Sequence, residues 1–161
     1  MRFAKAILLP DSSWLQGLGG LFVKPARLQI AALCFRPGDK EPEILLVSTR
    51  DTGRLILPKG WPEKDKPAHQ TAIIEAYEEA GVVGKAEPRP MGSFRSYKGL
   101  SKGVKIRTKV LVFKIRFEKQ LEDFPEIGQR QCVWLPLSEA IEAVNEPALK
   151  RFLRRKRSEI M

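Results

Sequence analysis

The pattern of apolar and polar positions along the chain predicts several short strands. Residues 27–35 form the apolar run RLQIAALCF, which ends before Pro37 and Gly38, as is typical of a buried strand followed by a turn. The segment Glu43–Ser48 predicts a second strand that pairs with the first as a hairpin. Further strands are predicted at residues 54–57, 90–97, 105–117 and 131–135.

One helix, Ala68–Ala80, is predicted in the middle of the chain, after a loop at residues 59–62. It contains strong helix formers and no internal glycine or proline. Pro67 stands at a favoured first-turn position, and Gly81 stands at the position where glycine commonly ends a helix. Helical spacing places four residues on the face that is expected to pack on a sheet: Ile73, Ala76, Tyr77 and Ala80.

The two ends of the chain predict different structures. Residues 1–25 mix glycines with apolar residues and are predicted to be an N-terminal extension of a single domain at residues 26–161. Ser138 is predicted to cap a helix that continues through residue 144, and Pro147 to begin the last helix. Many strands around one mid-chain helix, with helices at the end, predict an α/β or α+β sandwich that contains a mixed sheet.

The composition is that of one soluble globular domain. A chain of 161 residues with 43% hydrophobic and 30% charged residues is neither disordered nor membrane-embedded. No apolar run approaches the ~18 residues of a membrane span, so the sequence predicts a cytoplasmic protein with no membrane partner. The formal net charge of +10 attracts phosphates, polyphosphates, nucleic acid or an acidic membrane surface without choosing among them.

Few residues are present for histidine-based or cysteine-based chemistry. The single histidine, His69, weakens every Ser-His-Asp, Cys-His or multi-histidine zinc hypothesis, because each needs an imidazole in a defined place. Cys34 and Cys132 lie in predicted strands without a companion at metal-ligand spacing, and are predicted to be buried free thiols.

Three carboxylates on the predicted helix carry the candidate chemistry. Glu75, Glu78 and Glu79 have the i, i+3, i+4 spacing that places side chains on one helical face. A solvated acidic surface is one interpretation of this cluster. A metal site is the other, because Mg²⁺ takes a few carboxylates together with water and substrate phosphates.

The spacing of a loop glycine and these carboxylates resembles the signature of the Nudix hydrolase family. Gly60 lies fifteen residues before Glu75, where the sequence EAYEEAGV begins. The resemblance covers about residues 27–155, including LPKGWPE and EIGQRQCVWLPLSEA, and is most similar to the branch of diphosphoinositol and dinucleoside polyphosphate phosphohydrolases. The family usually has Glu and Arg where this chain has Lys66 and Ile74, so both members of an expected ion pair are replaced.

The resemblance implies a Nudix-type α/β/α sandwich that holds a divalent cation. It implies that Glu75 and Glu79 bind Mg²⁺, or Mn²⁺ in its place, assisted by the main-chain carbonyl of Lys59 or Gly60. It also implies that Glu78 is the general base that takes the proton of the attacking water.

The implied partner is a small polyphosphate. Guanidinium groups can bind phosphates in a bidentate manner, and ammonium groups act as point charges. Trp61 and Tyr97 are candidates for stacking on a base or for packing. Six basic residues are predicted candidates for phosphate binding: Arg50, Arg54, Lys59, Arg95, Lys98 and Lys105.

Two hypotheses about function follow. The first is a Mg²⁺-dependent hydrolase that cleaves a diphosphate linkage in a diphosphoinositol polyphosphate or a dinucleoside polyphosphate. The second is a non-catalytic Nudix-like module that binds RNA or another anionic ligand, which the charge of +10 and the replacements at Lys66 and Ile74 favour. Loss of activity in Glu78→Gln or Glu79→Gln is expected under the first hypothesis only.

Overall fold

A computed structural model of the protein describes residues 26–99 and 103–161, and the predicted extension, residues 1–25, lies outside this part of the chain. The described part contains strands β1 to β8 and helices α1 to α4. The strands are β1 Arg27–Arg36, β2 Glu43–Ser48, β3 Leu55–Ile56, β4 Lys59–Gly60, β5 Val82–Ala86, β6 Gly92–Gly99, β7 Lys105–Gln120 and β8 Cys132–Pro136. The helices are α1 Ala68–Ala80, α2 Leu137–Ala143, α3 Pro147–Arg155 and α4 Arg157–Ile160.

The strands form one mixed sheet. Its main path runs β3-β2-β1-β7-β5, with β4 paired to β1, β6 to β7 and β8 to β2. The long strands β1 and β7 are parallel, and the other pairs are antiparallel. The predicted hairpin is confirmed, because Phe35 of β1 pairs with Ile44 of β2.

Each face of the sheet is covered by helices, since successive side chains of a strand point to opposite faces. On one face, Ile30 and Phe113 are buried in a cluster that contains the small residues of α1. On the other face, Ala31 and Val112 are buried in a cluster with Phe152 and other residues of α2, α3 and α4. The predicted α/β/α sandwich with a mixed sheet is therefore confirmed.

Helix α1 has the predicted bounds and ends as predicted. Gly81 adopts the left-handed conformation, with φ 67°, and its N–H is directed to the last carbonyls of the helix. The predicted buried face is partly wrong, because Tyr77 is 37% exposed. Ala72, Ala76 and Ala80 recur every four residues and form the buried stripe, from which Tyr77 points away.

Three local predictions are wrong. Part of the predicted loop at residues 59–62 is strand β4, which pairs with β1. Strand β5 was not predicted, because Gly84 interrupts its apolar pattern, yet the sheet accommodates this glycine at a register shift. Ser138 does not cap α2, which begins at Leu137 after Pro136; its N–H and Oγ–H instead donate to the carboxylate of Glu41 at 3.0 Å each.

The prediction of two buried free thiols is confirmed for Cys34, whereas the predicted burial is wrong for Cys132. Cys34 is buried, Cys132 is half-buried, and both are free thiols. No helix in the described ranges is long and apolar enough to cross a membrane.

Candidate active site

The signature glycine lies directly against the first signature carboxylate. Strand β4 pairs Gly60 with Ile30 of β1, which fixes the loop above the middle of α1. A Cβ atom at Gly60 would lie 1.8 Å from Oε1 of Glu75, a distance that no side chain permits. Only glycine therefore allows this carboxylate to approach the loop main chain, which is a physical reason for the Gly60 to Glu75 spacing.

Glu79 is buried, with 4% exposure, and both of its carboxylate oxygens have a partner. Nη2 of Arg130 lies 2.7 Å from Oε1 of Glu79. The main-chain N–H of Lys59 donates to Oε2, with an N–O distance of 3.3 Å. The carboxylate thus connects α1 to β4 and to the loop before β8.

Arg130 and Glu126, which were not singled out from the sequence, belong to the same cluster. Nε of Arg130 donates to Oε2 of Glu126 at 2.7 Å, and Nη1 donates to the carbonyl of Ser48 at 3.0 Å. Arg50 also pairs with Glu126. The segment EIGQR has no helical or strand period, so its place beside α1 depends on tertiary contacts alone.

The carboxyl groups destabilise one another's ionised forms. Burial, followed by repulsion from Glu79, Glu78 and Glu126, raises the pKa of Glu75 to about 7. Burial also raises the pKa of Glu79 to about 7, although the guanidinium of Arg130 opposes this shift. Poorly hydrated negative charge of this kind is an environment that a cation would stabilise.

Lys59 and Lys98 are the predicted phosphate ligands that lie near these carboxylates. Burial lowers the pKa of Lys59, whereas the charges of Glu79 and Glu146 act in the opposite direction. The charge of Lys98 acts on both Glu75 and Lys59, and its Nζ lies 4.7 Å from the centre of the Trp61 ring. Trp61 is thus in contact with a cation at the edge of the site.

The other predicted phosphate ligands occupy different positions, and only Arg50 contacts a carboxylate of the cluster. Arg50 is engaged with Glu126 at the outer side of the cluster. Arg54 is exposed and donates from Nε to Thr52. Arg95 and Lys105 are exposed on β6 and β7.

The donor chemistry fits a hard divalent cation. Glu75, Glu78, Glu79 and Glu126 supply carboxylate oxygens, which Mg²⁺ prefers, and the loop carbonyls of residues 59 and 60 are adjacent. In the observed side-chain conformations, the described ranges contain no group of three acidic, histidine or cysteine side chains that is close enough to hold an ion. The pairing of Glu79 with Arg130 and Lys59 is one reason, because it occupies both oxygens of that carboxylate.

The protein has a mixed sheet between helices and a glycine loop that packs on a carboxylate-bearing helix. This is the arrangement that the resemblance to the Nudix family implies. The NUDIX domain family model matches residues 26–156, and the chain belongs to the Nudix family. The resemblance seen in the sequence is thereby confirmed.

Named relatives of the chain are hydrolases. Nudix hydrolase 12, mitochondrial, of Arabidopsis thaliana is 35% identical over 119 residues, which are 70% of this chain and 59% of the relative. Diphosphoinositol polyphosphate phosphohydrolase 3-alpha of Mus musculus is 36% identical over 116 residues, 71% of this chain and 66% of the relative. The chain spans about 60% of the length of the first plant relatives that it matches.

Solved structures show the same fold at low sequence identity. The NUDIX domain of Shewanella oneidensis NrtR complexed with ADP ribose has a TM-score of 0.63 and 17% identity, covering 95% of this chain and 100% of that one. A C. elegans Ap4A hydrolase in a binary complex has a TM-score of 0.57 and 18% identity, covering 83% of this chain and 97% of that one.

Proposed function

We propose that the protein is a Mg²⁺-dependent hydrolase that cleaves a diphosphate linkage in a polyphosphorylated substrate, such as a diphosphoinositol polyphosphate or a dinucleoside polyphosphate. The close approach of Gly60 to Glu75 is the observation that carries this proposal, since it joins the loop carbonyls and the helix carboxylates in one site. The mouse relative named as a diphosphoinositol polyphosphate phosphohydrolase supports the substrate class.

The carboxylates of α1 are assigned to the metal and to the water. Glu75 and Glu79 would hold Mg²⁺, with Mn²⁺ as a second suitable cation, and the carbonyl of Lys59 or Gly60 would assist. The ion would lower the pKa of bound water and neutralise charge on the phosphoryl oxygens. Glu78 accepts the proton of the attacking water, since it lies one residue from Glu79 on the same helix.

The cations beside the site are assigned to the substrate phosphates. Lys98 acts near Glu75 and Lys59 acts near Glu79, so each lies next to a proposed metal ligand. Attack of water on one phosphorus breaks its bond to the bridging oxygen, and the phosphorylated leaving group takes that oxygen. Positive charge on Lys59 and Lys98 stabilises the negative charge that develops.

Phosphate release from inositol pyrophosphates, dinucleoside polyphosphates, nucleotide sugars and capped RNA, measured with and without Mg²⁺, tests the proposal. We expect Glu78→Gln and Glu79→Gln to lower kcat by about 100-fold or more, which is the usual contribution of a positioned base or metal ligand. Glu87→Gln is the matched control, because this glutamate is exposed and lies after β5. Full activity of both site variants would exclude the mechanism, and absence of Mg²⁺-dependent turnover of every substrate would favour the binding module.

A further inference from the structure

One face of the sheet carries concentrated positive charge beyond the part that α1 covers. On the face that α1 covers, Leu111 and Phe113 of β7 pack in the apolar cluster under the helix. Lys109, two residues before Leu111, is exposed, so the part of β7 that α1 covers ends between these two residues. Beyond that point the outward side chains of β6 and β7 form what we call the basic sheet face: Arg95, Tyr97, Lys105, Arg107 and Lys109.

The register of β6 and β7 brings these cations close together. Arg95 is directly opposite Lys109, and Tyr97 is directly opposite Arg107. Lys105, Arg107 and Lys109 recur at every second residue, so consecutive members are about 6.8 Å apart along the strand. Like charges that face each other across a pair of strands destabilise the sheet.

Among the residues that the structure describes, no acidic side chain forms an ion pair that would offset this repulsion. Within the described ranges, the ion pairs of the protein join ten pairs of residues, and none of them includes a cation of the basic sheet face. Lys85 on the neighbouring strand β5, by contrast, is paired with Glu118. The basic sheet face is therefore electrostatically complementary to an extended anion.

An exposed aromatic ring lies among these cations. Tyr97 is 66% exposed, and Leu28 of β1, in the same cross-strand row as Lys109 and Arg95, is 41% exposed. A ring that is flanked by cations on a flat sheet can stack on an unpaired base while the cations contact the adjoining phosphates. The bases of a duplex are already stacked on one another, so they are not free to stack on the ring.

We propose that the basic sheet face binds single-stranded nucleic acid, with the backbone phosphates on Arg95, Lys105, Arg107 and Lys109 and a base stacked on Tyr97. This interaction is separate from the proposed hydrolysis, because none of the carboxylates of α1 takes part in it.

Anisotropy of a labelled oligouridine RNA of about 16 nucleotides, titrated with the full chain in EDTA at several salt concentrations, tests the charge requirement. The double variant Arg107→Glu/Lys109→Glu is expected to bind at least tenfold more weakly at low salt. Loss of two phosphate contacts is expected to reduce the slope of log affinity against log salt by about 1.4. Lys40→Glu/Arg155→Glu is the matched control, since it changes the net charge equally at exposed positions elsewhere, including the C-terminal basic run; its affinity is expected to stay within about twofold.

Stacking is tested by Tyr97→Ala, which is expected to weaken binding by about tenfold, and by Tyr97→Phe, which retains the ring and is expected to bind as the wild type does. Circular dichroism should be unchanged in all variants, because the substituted side chains are exposed. Equal losses in the two double variants would assign binding to overall charge and overturn the proposal. Absence of binding at low salt would also overturn it, as would equal binding to phosphatidylserine vesicles with no effect of Tyr97→Ala.

Discussion

At the scale of single residues, burial and neighbouring charges together set the pKa of Glu75. Its carboxyl group lies against Gly60 and within reach of the charges of Glu78, Glu79 and Glu126. The resulting pKa of about 7 means that the folded protein holds a proton that the unfolded chain has already released between pH 4.5 and 7. Ionisation of Glu75 therefore opposes folding.

In EDTA, the free energy of unfolding is expected to fall as the pH rises from about 4.5 to about 7, because the stability linked to protonated Glu75 is complete below the lower value and lost above the upper one. The pKa shift corresponds to about 3 kcal/mol in full, and screening by solvent reduces this to about 1–2 kcal/mol at a half-buried group. Urea denaturation at several pH values measures the fall. Glu75→Gln should reduce the fall without removing it, because the pKa of Glu79 is also raised to about 7, and Glu87→Gln should leave the fall unchanged. An unchanged profile in Glu75→Gln would assign the titration to another group.

Gly60 is required by the space that Glu75 occupies and not by an unusual backbone conformation. Gly60→Ala is expected to displace the carboxylate, because its Cβ would lie 1.8 Å from Oε1 of Glu75. Displacement of a reacting group by about 1 Å can lower a rate by about 100-fold, and overpacking costs about 1–3 kcal/mol of stability. Gly99→Ala is the control, since nothing lies within 4 Å of its added Cβ. Phosphate release and urea denaturation distinguish the two variants, and equal activity would contradict the role of Gly60.

At the scale of secondary-structure elements, α1 is joined to the loop between β7 and β8. The N–H of Leu121 donates to the carbonyl of Gly81 at 2.9 Å, and the N–H of Glu126 donates to the carbonyl of Glu78 at 3.0 Å. Arg130 adds the ion pair with Glu79. Helix propensity determines that residues 68–80 form a helix but not where that helix lies. These contacts fix the position of the helix against the rest of the protein.

Arg130→Met is expected to lower the free energy of unfolding by about 3–5 kcal/mol, because it leaves the buried carboxylate of Glu79 without its guanidinium partner. The double variant Arg130→Met/Glu79→Gln should lose less than the sum of the single variants, since no unpaired charge then stays buried. Arg154→Met, which breaks a pair whose side chains are 55% and 67% exposed, should leave the free energy of unfolding nearly unchanged, because solvent screens exposed ion pairs. Urea denaturation of the wild type, Arg130→Met, Glu79→Gln, the double variant and Arg154→Met checks this, and additive losses would show that Arg130 and Glu79 act independently.

At the scale of the whole molecule, one sheet separates two apolar clusters and belongs to both. Phe113 is buried on the α1 side, and Phe152 of α3 is buried on the opposite side. Strands β1 and β7 contribute residues to both clusters, so loss of packing on one face removes support from the other. The two clusters are expected to unfold together.

Phe113→Ala and Phe152→Ala are each expected to lower the free energy of unfolding by about 3–5 kcal/mol, the usual range for deletion of a buried aromatic ring. Leu28→Ala, at a residue that is 41% exposed, should change it by less than about 1 kcal/mol. Denaturation curves followed by tryptophan fluorescence and by far-UV circular dichroism should coincide for every variant. Separate transitions would mean that the two faces are independently stable.

The sequence was informative where local chemistry and structure agree. The bounds of α1 follow from its helix formers and from Gly81, and β2 follows from its apolar run. The sequence did not predict β4, because its two residues form a strand only through main-chain pairing with β1. Among the candidate site residues, Glu75 was recognisable from the spacing to Gly60, whereas Arg130 has no local signal.

The sequence by itself determined that three carboxylates lie on one helix, because helical period depends on neighbouring residues, and its motifs carried the resemblance to the Nudix family that the family model confirms. Only the tertiary structure decided which groups those carboxylates meet. Folding brought Arg130 to Glu79 and placed Arg95 and Lys105 on the face of the sheet opposite to Lys98. The physical reason is that pairing across a sheet joins residues that are distant in the chain, so charge and burial at the site depend on topology.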